Sequence, residues 1–176
     1  MANISNKAVQ MPASAIRKLV PLADAAKKEG VKVYHLNLGQ PDIKSPTCAL
    51  DAIRNFSGEN VSYSHSAGLM DLRKGLVEKY YGKMGINISV DELIVTVAGS
   101  ESVNLALEIT CNPGDEVIVL EPFYTNYNTF AFMNGLTLKA ISTDIRNGFQ
   151  IPPIEEFEKA ITDKTKAILV CNPGNP

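Results

Sequence analysis

Three segments of the chain are continuous runs of apolar, largely β-branched residues. They are LIVTV at 93–97, EVIVL at 116–120 and KAILVC at 166–171. Such runs are typical of strands that are buried on both faces of a parallel sheet. A fourth segment, LTLKAIS at 136–142, alternates in part and also predicts a strand.

Amphipathic segments separate these strands, near 100–110, 124–134 and 153–161, and NPGD after the first of them predicts a turn. Strands and helices that alternate in this way predict right-handed crossovers and a layered fold. The predicted fold is therefore a three-layer α/β/α domain with a mostly parallel sheet. We expect this domain to cover residues 47–176, and residues 1–46 to form an N-terminal arm and a segment of a second, smaller domain.

Earlier helices are predicted from spacing and from cap residues. Ala15 to Gly30 has apolar residues at helical spacing, Pro21 indicates a kink or a late start, and Gly30 suits a left-handed cap. VYHLNLG at 33–39 reads as a short extended segment before a loop.

Two further helices follow that loop. Ser45 as N-cap and Pro46 at the first helical position predict the start of one. The other runs from about Leu69 to Tyr81. The apolar face is predicted to contain Leu50, Ile53 and Phe56 in the first helix, and Leu69, Leu72, Leu76 and Tyr80 in the second.

Composition narrows the class of protein. The chain contains 45% hydrophobic residues, enough to form a buried core. Its formal charge is -2 and its basic residues are spread along the chain, so we expect no nucleic-acid partner. Cys48, Cys111 and Cys171 are odd in number and far apart, so they are interpreted as buried, unpaired thiols rather than bridges or metal ligands. The N-terminus has no apolar signal region and no membrane span follows, which predicts a cytoplasmic location.

In open α/β sheets, ligands bind beyond the carboxyl ends of the strands. The first such place is VTVAGSES, where Gly99 permits close approach of a backbone, and Ser100 and Glu101 open a helix whose N–H groups suit a phosphate. No G-x-G-x-x-G motif follows, which argues against a dinucleotide. The alternative is a plain strand-to-helix turn with Ser100 as N-cap, in which Val103 leaves the capping box incomplete.

The second and third places are EPFYTNY and CNPGNP. Pro122 is expected to keep Phe123 or Tyr124 near the same sheet edge. One interpretation is that the ring stacks on a flat ligand, and the alternative is that it packs in the core. Asn175, held between prolines, aims its amide at a polar ligand atom or only marks a turn. Together the three places describe a pocket for a flat aromatic ring that carries a phosphate.

These motifs resemble the N-terminal part of the class I and II aminotransferases, the fold-type-I enzymes that use pyridoxal 5'-phosphate (PLP). The resemblance is carried in the family's order by LNLGQPD, YSHSAGLMDLRKGL, VTVAGSESVNLAL, NPGDEVIVLEPFYTNY and NPGNP, and it covers essentially the whole chain. It implies the first part of a PLP-dependent transferase-like large domain. The most similar branch is that of the bacterial aspartate aminotransferases.

The resemblance implies roles for particular residues. The positions of Gly99, Ser100 and Glu101 present main-chain N–H groups to the cofactor phosphate. Tyr124 matches the residue that stacks on the pyridine ring, and Asn175 matches the donor to the 3'-oxygen of the cofactor.

Two more positions follow from the same resemblance. Gly39 matches a backbone position that meets the α-carboxylate of the substrate. Tyr63 matches a tyrosine that reaches the cofactor phosphate of the neighbouring subunit, which implies a homodimer. His35 and His65 match no catalytic position and are interpreted as structural or solvated.

The implied reaction moves an amino group from an L-amino acid, aspartate among the candidates, to a 2-oxo acid such as 2-oxoglutarate. The Schiff-base lysine of the family lies downstream of the position of Pro176, and no lysine of this chain has its serine-rich context. We therefore expect no catalytic residue in this chain and no transamination by it alone. In the family one aspartate-specific group carries lysine at the position of Ser100, so serine there favours aspartate only slightly over neutral donors.

The family's sheet also predicts an incomplete fold. There the strand that matches 93–97 is separated from the other three by strands found later in the sequence, so we expect a truncated or cleaved chain. Direct pairing of 93–97 with 166–171 would contradict this expectation. The alternatives are the effector-sensing domain of a transcription regulator and a generic nucleotide-binding or methyl-transferring α/β domain.

Overall fold

The computed structural model describes residues 3–14 and 16–176. It divides the chain into two compact units, 1–38 with 102–176, and 39–101. The helices are α1 Asn6–Gln10, α2 Val20–Lys28, α3 Thr47–Arg54, α4 Met70–Gly75, α5 Gly99–Thr110, α6 Asn126–Asn134 and α7 Ile154–Ala160. The strands are β1 Glu116–Glu121, β2 Thr137–Ser142 and β3 Thr165–Leu169. The division into 1–46 and 47–176 stays a prediction.

The first unit contains a parallel sheet with the strand order β2-β1-β3. Val117 of the central strand pairs with Leu138 on one side and with Ala167 on the other. The prediction of parallel strands joined by helical crossovers is confirmed for these three strands.

The core of this unit is built around β1. Val117, Ile118 and Val119 are 0%, 0% and 1% exposed, so the predicted burial of this strand on both faces is confirmed. Leu107 of α5 and Ala131 of α6 pack with Val117 on one face of the sheet. On the opposite face, Phe157 of α7 lines a cleft with Ile168 of β3, whose side chain alternates with that of Ala167. The helices thus cover both faces, as a three-layer α/β/α fold requires.

The segment 93–97 does not form the predicted strand. Its residues join no ladder of the sheet that the structure describes, and Ile94 and Val97 are 68% and 94% exposed. Leu93 has extended dihedrals, and the Val95 N–H donates to the Ala67 carbonyl at 3.0 Å. The prediction was wrong because an apolar run records a preference for burial, whereas a strand also needs a partner for its backbone groups.

The strand β3 also differs from its prediction. Its residues alternate between half-buried and exposed, and Ile168 and Val170 are 47% and 63% exposed. The strand lies at the edge of the β2-β1-β3 sheet, so it is not buried on both faces as predicted.

The helix α2 begins late, as Pro21 predicted. A short 3₁₀ turn at Arg17–Leu19 precedes it, and Pro21 lies in its first turn, where no intrahelical N–H bond is needed. Gly30, with φ of +82°, closes it in a Schellman arrangement: the Val31 N–H donates to Ala26 and the Gly30 N–H to Lys27. Ala15, the predicted first residue, lies outside the described residues. In the segment 33–39, predicted to be extended, residues 36–38 form a turn and a bend, and no residue belongs to a strand.

The helices of the second unit deviate at their starts and in their winding. The N-cap of α3 is Pro46 and no side chain caps it, so the assignment of Ser45 as N-cap was wrong. The predicted 69–81 helix is formed in two pieces, α4 and a π-helix at Leu76–Tyr81, and a 3₁₀ turn at Gly82–Met84 follows them. The predicted apolar faces are largely exposed in this unit; Ile53, Phe56 and Leu69, for example, are 75%, 62% and 61% exposed.

The cysteines are free, but they are not buried. Cys48 and Cys171 are exposed and Cys111 is half-buried. The prediction of buried thiols was therefore wrong for the first two, because sequence spacing excludes a bridge without fixing depth. No helix in the part of the chain that the structure describes is long and apolar enough to span a membrane.

A carboxylate joins the three strands at their amino ends. Glu116 Oε2 accepts from Thr162 Oγ1 at 2.6 Å and from Thr165 Oγ1 at 3.4 Å, and lies 3.4 Å from Lys139 Nζ. The Thr162 hydrogen bond, opposed by burial and assisted by Lys139, lowers the pKa of Glu116 below its ordinary 4.5.

This arrangement predicts acid sensitivity. Because the pKa is lower in the folded state, the stabilisation is present above about pH 4.5 and is lost as the pH falls through the folded value. We expect Glu116→Gln to reduce the fall in the urea midpoint between pH 6 and pH 3. The exposed Glu158→Gln is the control, and equal pH profiles for Glu116→Gln and the unsubstituted protein would contradict the prediction.

Candidate functional site

A cluster of aromatic rings follows the carboxyl end of β1. The chain leaves the strand through Pro122, after a cis Glu121–Pro122 bond, and presents Phe123 and Tyr124 at this edge. The Tyr124 ring meets that of Tyr127 edge to face at 5.6 Å, and the Phe123 ring is stacked on Tyr127 at 6.3 Å. The prediction that these rings lie near the sheet edge is confirmed.

Tyr127 is the buried member of this cluster, at 8% exposure. Burial, followed by a hydrogen bond with Cys171, raises the pKa of its phenol above the ordinary value of 10.0. Tyr127 therefore stays uncharged at neutral pH and supports Tyr124 as a neutral ring.

Asn175 lies at the same edge of the sheet, in the loop after β3. With Tyr127 and Cys171 it lines a cleft of about 60 Å³, which Phe123 also borders. The Cys171 thiol donates to the Pro173 carbonyl at 3.3 Å, and this bond helps to close the loop that carries Asn175. Two of the three predicted places, the aromatic one and the Asn175 loop, are thus brought to one edge.

The Tyr124 ring also contacts Asn126 and borders a second groove. The Asn126 amide donates to its hydroxyl at 2.6 Å, which fixes the ring orientation at the start of α6. A T-shaped contact with Tyr127 covers at most one face of the ring. Tyr124 also borders a groove of about 630 Å³ formed by α2 and residues 33–38.

The third predicted place lies at the start of α5. The helix begins at Gly99, so Ser100 is its second residue and not the N-cap of the alternative interpretation. The Glu101 N–H donates to the Ala98 carbonyl at 3.0 Å, and the Glu101 carboxylate accepts from the Val97 N–H at 2.6 Å. The Glu101 N–H is thus already bonded, whereas the N–H groups of Gly99 and Ser100, the first two helical residues, have no intrahelical acceptor and suit an anion.

The two remaining predicted positions are open to solvent. Tyr63 is 106% exposed, in a loop before α4. Gly39 has no atom within 4 Å of the place where a Cβ would stand, and the same holds for Gly99. Both histidines are exposed, as the interpretation of solvated or structural residues allows, and His65 Nδ1 accepts from the Ala67 N–H at 3.1 Å.

The predicted residues fall into both units. Tyr124 and Asn175 belong to the first, and Gly39, Tyr63 and the residues 99–101 belong to the second. The ring and the neutral amide of the first unit suit an aromatic ligand, and the helix N–H donors of the second unit suit an anion. No cluster of side chains in the described ranges 3–14 and 16–176 could hold a metal ion.

Reasoning from sequence missed Tyr127 and Cys171. The signal for Tyr127 was its position three residues after Tyr124 in a segment predicted to be helical. In the structure Tyr124 precedes α6, and the Tyr127 N–H donates to the Tyr124 carbonyl at 2.9 Å. Cys171 was interpreted only as a buried thiol, although it precedes the same loop as Asn175.

Comparison with known proteins gives the same family. The family model described as aminotransferase class I and II matches residues 31–176. The aspartate/prephenate aminotransferase of Thermus thermophilus is 32% identical over 177 residues, which cover 100% of this chain and 46% of that protein.

Solved structures show the likeness in three dimensions. A single-mutant form of the Thermus thermophilus aspartate aminotransferase has a TM-score of 0.91 at 32% identity and covers 100% of this chain and 46% of its own. The alanine aminotransferase of Pyrococcus furiosus has a TM-score of 0.88 at 35% identity, with 99% and 45% covered.

The chain thus spans a little under half of the length of these relatives. Their agreement confirms the predicted fold, that of the PLP-dependent transferases, and the similarity to bacterial aspartate aminotransferases. The chain belongs to the aminotransferase class I and II family.

Proposed function

We propose that the full-length protein is a PLP-dependent aminotransferase that moves an amino group from an L-amino acid to a 2-oxo acid such as 2-oxoglutarate. The observation that carries this proposal is the aromatic cluster beside Asn175 at the carboxyl edge of the sheet, in a chain that matches the family over residues 31–176. Aspartate is one candidate donor, in keeping with the printed name of the Thermus relative.

The residues of this chain bind and orient the cofactor in this proposal. The N–H groups at Gly99–Glu101 hold the phosphate, because a helix N-terminus attracts negative charge. Tyr124, fixed by Asn126 and Tyr127, stacks on the pyridine ring. When bound, PLP supplies an electron sink that stabilises the charge left by removal of the Cα proton.

Asn175 is proposed to stabilise charge on the cofactor. Its side-chain amide donates to the 3'-oxygen of the cofactor and thereby stabilises negative charge on that oxygen. An amide suits this task because it remains a neutral donor at all physiological pH values. The lysine that binds the cofactor covalently is not supplied by this chain in our proposal, so residues 1–176 alone do not transaminate.

We also propose that the enzyme is a cytoplasmic homodimer with shared active sites. The support is the full exposure of Tyr63, which leaves its hydroxyl available to the cofactor phosphate of a second subunit. Gly39, with open space around its Cα, is proposed to bring a backbone group to the substrate α-carboxylate.

A spectroscopic experiment tests the proposed function. PLP added to the full-length protein should produce a visible absorbance band that borohydride bleaches, and amino groups should pass from a donor to 2-oxoglutarate. A nucleotide-binding or methyl-transferring domain would show no such band. An effector-sensing domain would show the band without turnover.

The donor preference gives a further prediction at Ser100. We expect Ser100→Lys to raise the kcat/KM for aspartate about fivefold relative to that for alanine, because an added ion pair with the distal carboxylate contributes about 1 kcal/mol. The exposed Ser57→Lys is the control for a general charge effect. A ratio that both variants leave unchanged would count against the proposed place of Ser100 near the substrate.

A further inference from the structure

Arg73, in α4, is a buried charged residue. It is 3% exposed, and no carboxylate lies within ion-pair distance of it among the residues that the structure describes. One guanidinium nitrogen, Nη1, donates to the Val90 carbonyl at 2.8 Å, while the buried Nε has no partner. Burial of a cation without a counter-charge destabilises the folded state, so an apolar residue at this position would give a more stable fold if packing were its only role. The arrangement points to a role for the Arg73–Val90 bond itself.

Val90 begins the segment that leads to the phosphate turn. It opens a 3₁₀ turn, Val90–Glu92, in which the Glu92 carboxylate accepts from the Ser89 N–H at 2.8 Å and from Ser89 Oγ at 2.9 Å. These two hydrogen bonds hold the turn at its start. By fixing the Val90 carbonyl, Arg73 therefore fixes the origin of residues 93–98, which run directly into Gly99.

A second attachment holds the middle of the same segment. The Val95 N–H donates to the Ala67 carbonyl at 3.0 Å, and the Gly68 N–H donates to the His65 carbonyl at 2.8 Å. Gly68 has φ of +94°, and a Cβ there would lie 2.6 Å from Val95 Cβ. Only glycine fits so close to this side chain in that conformation.

A third bond ties the end of the segment to the helix. The Val97 N–H donates to the Glu101 carboxylate at 2.6 Å. Residues 90–101 are thus held at three points, by Arg73, by the loop 65–68 and by Glu101. Since 93–97 has no strand ladder in the part of the chain described, these contacts carry its placement.

We propose that Arg73 is a positioning residue that clamps residues 90–98 against the loop 65–68 and so holds the phosphate turn Gly99–Glu101 in its binding geometry. The inference rests on the proposed function for the identity of the ligand, PLP. Tyr63 lies on the chain just before the clamped loop. The clamp therefore links the phosphate turn of one subunit to the tyrosine that serves the site of the other.

The test compares variants of the full-length protein in two measurements. Arg73→Met removes the donor, Arg73→Lys restores one donor to the single carbonyl, and Arg54→Met, on the exposed face of α3, is the matched control. The first measurement is hydrogen exchange of the Val95 amide without cofactor. The second is the dissociation constant of PLP.

We expect Arg73→Met to accelerate Val95 exchange about tenfold and to weaken PLP binding about 10- to 100-fold, since small displacements of a positioned group cost that much. Arg73→Lys should recover most of both effects, and Arg54→Met should change neither. A purely structural arginine would lower the melting temperature, would accelerate exchange at other protected amides of the same unit as much as at Val95, and would leave the PLP affinity unchanged, which would overturn the inference. If Arg73→Met does not fold, Gly68→Ala takes its place and should show the same two effects through the other attachment.

The two proposals fail in different ways. If the unsubstituted protein binds no PLP, the proposed function is wrong, and the exchange of Val95 still decides whether the clamp exists. If that protein binds PLP and the variants that fold keep its affinity and its Val95 protection, the positioning role of Arg73 is wrong while the function stands.

Discussion

Replacement of Ile118 by alanine is expected to lower the free energy of unfolding by about 3 to 4 kcal/mol. Ile118 is fully buried at the centre of the middle strand, so truncation removes apolar contacts and leaves a cavity that the two flanking strands cannot close. Urea unfolding followed by far-UV circular dichroism measures the change.

The control for this prediction is Ile145→Ala. Ile145 is 72% exposed in a short 3₁₀ turn of the same unit, so its truncation should cost less than about 0.5 kcal/mol. Similar losses at the two isoleucines would mean that β1 is not the core of this unit.

Replacement of Asn175 by alanine is expected to lower kcat of the full-length protein about 10- to 100-fold. A hydrogen bond to a charged oxygen contributes about 1.5 to 3 kcal/mol, and the 3'-oxygen of the cofactor carries such charge in the proposed site. Stopped-flow absorbance and steady-state turnover measure the effect. We also expect the visible band of the PLP-bound variant to titrate at a higher pH, because the amide stabilises the charged form of the oxygen.

Asn172→Ala is the matched control. Asn172 precedes a proline in the same loop, as Asn175 does, and both asparagines are exposed. The account assigns no cofactor contact to Asn172, so its variant should keep kcat within about twofold. Equal losses of kcat at both positions would show that the loop acts through its conformation and not through a cofactor contact of Asn175.

The sequence predicted the centre of the sheet well because local pattern and tertiary environment agree there. The run at 116–120 is apolar at every position after Glu116, and it became the central strand. The run at 93–97 has the same pattern, yet it forms no ladder, since strand formation depends on a neighbour that pattern alone does not reveal. Ile168 shows the same limit at the sheet edge, where one face of a strand stays half open.

The sequence predicted the site residues that follow strands. It did not predict the helical residues that hold the site in place. Tyr124 and Asn175 lie at the ends of β1 and β3, so topology alone brings them to one edge. Arg73 was not singled out from the sequence, because a charged residue on an amphipathic helix normally faces water. In the folded chain Arg73 is buried and donates to the Val90 carbonyl, seventeen residues away.

The central claim is that three segments remote in sequence hold one cofactor. A crystal structure of the full-length protein with PLP bound tests it most directly, through the distances from the cofactor to Gly99–Glu101, Tyr124 and Asn175. The account predicts phosphate oxygens within hydrogen-bond distance of N–H groups at Gly99–Glu101, the Tyr124 ring stacked on the pyridine, and the Asn175 amide at the 3'-oxygen. A cofactor bound elsewhere, or held by only one of these segments, would contradict it.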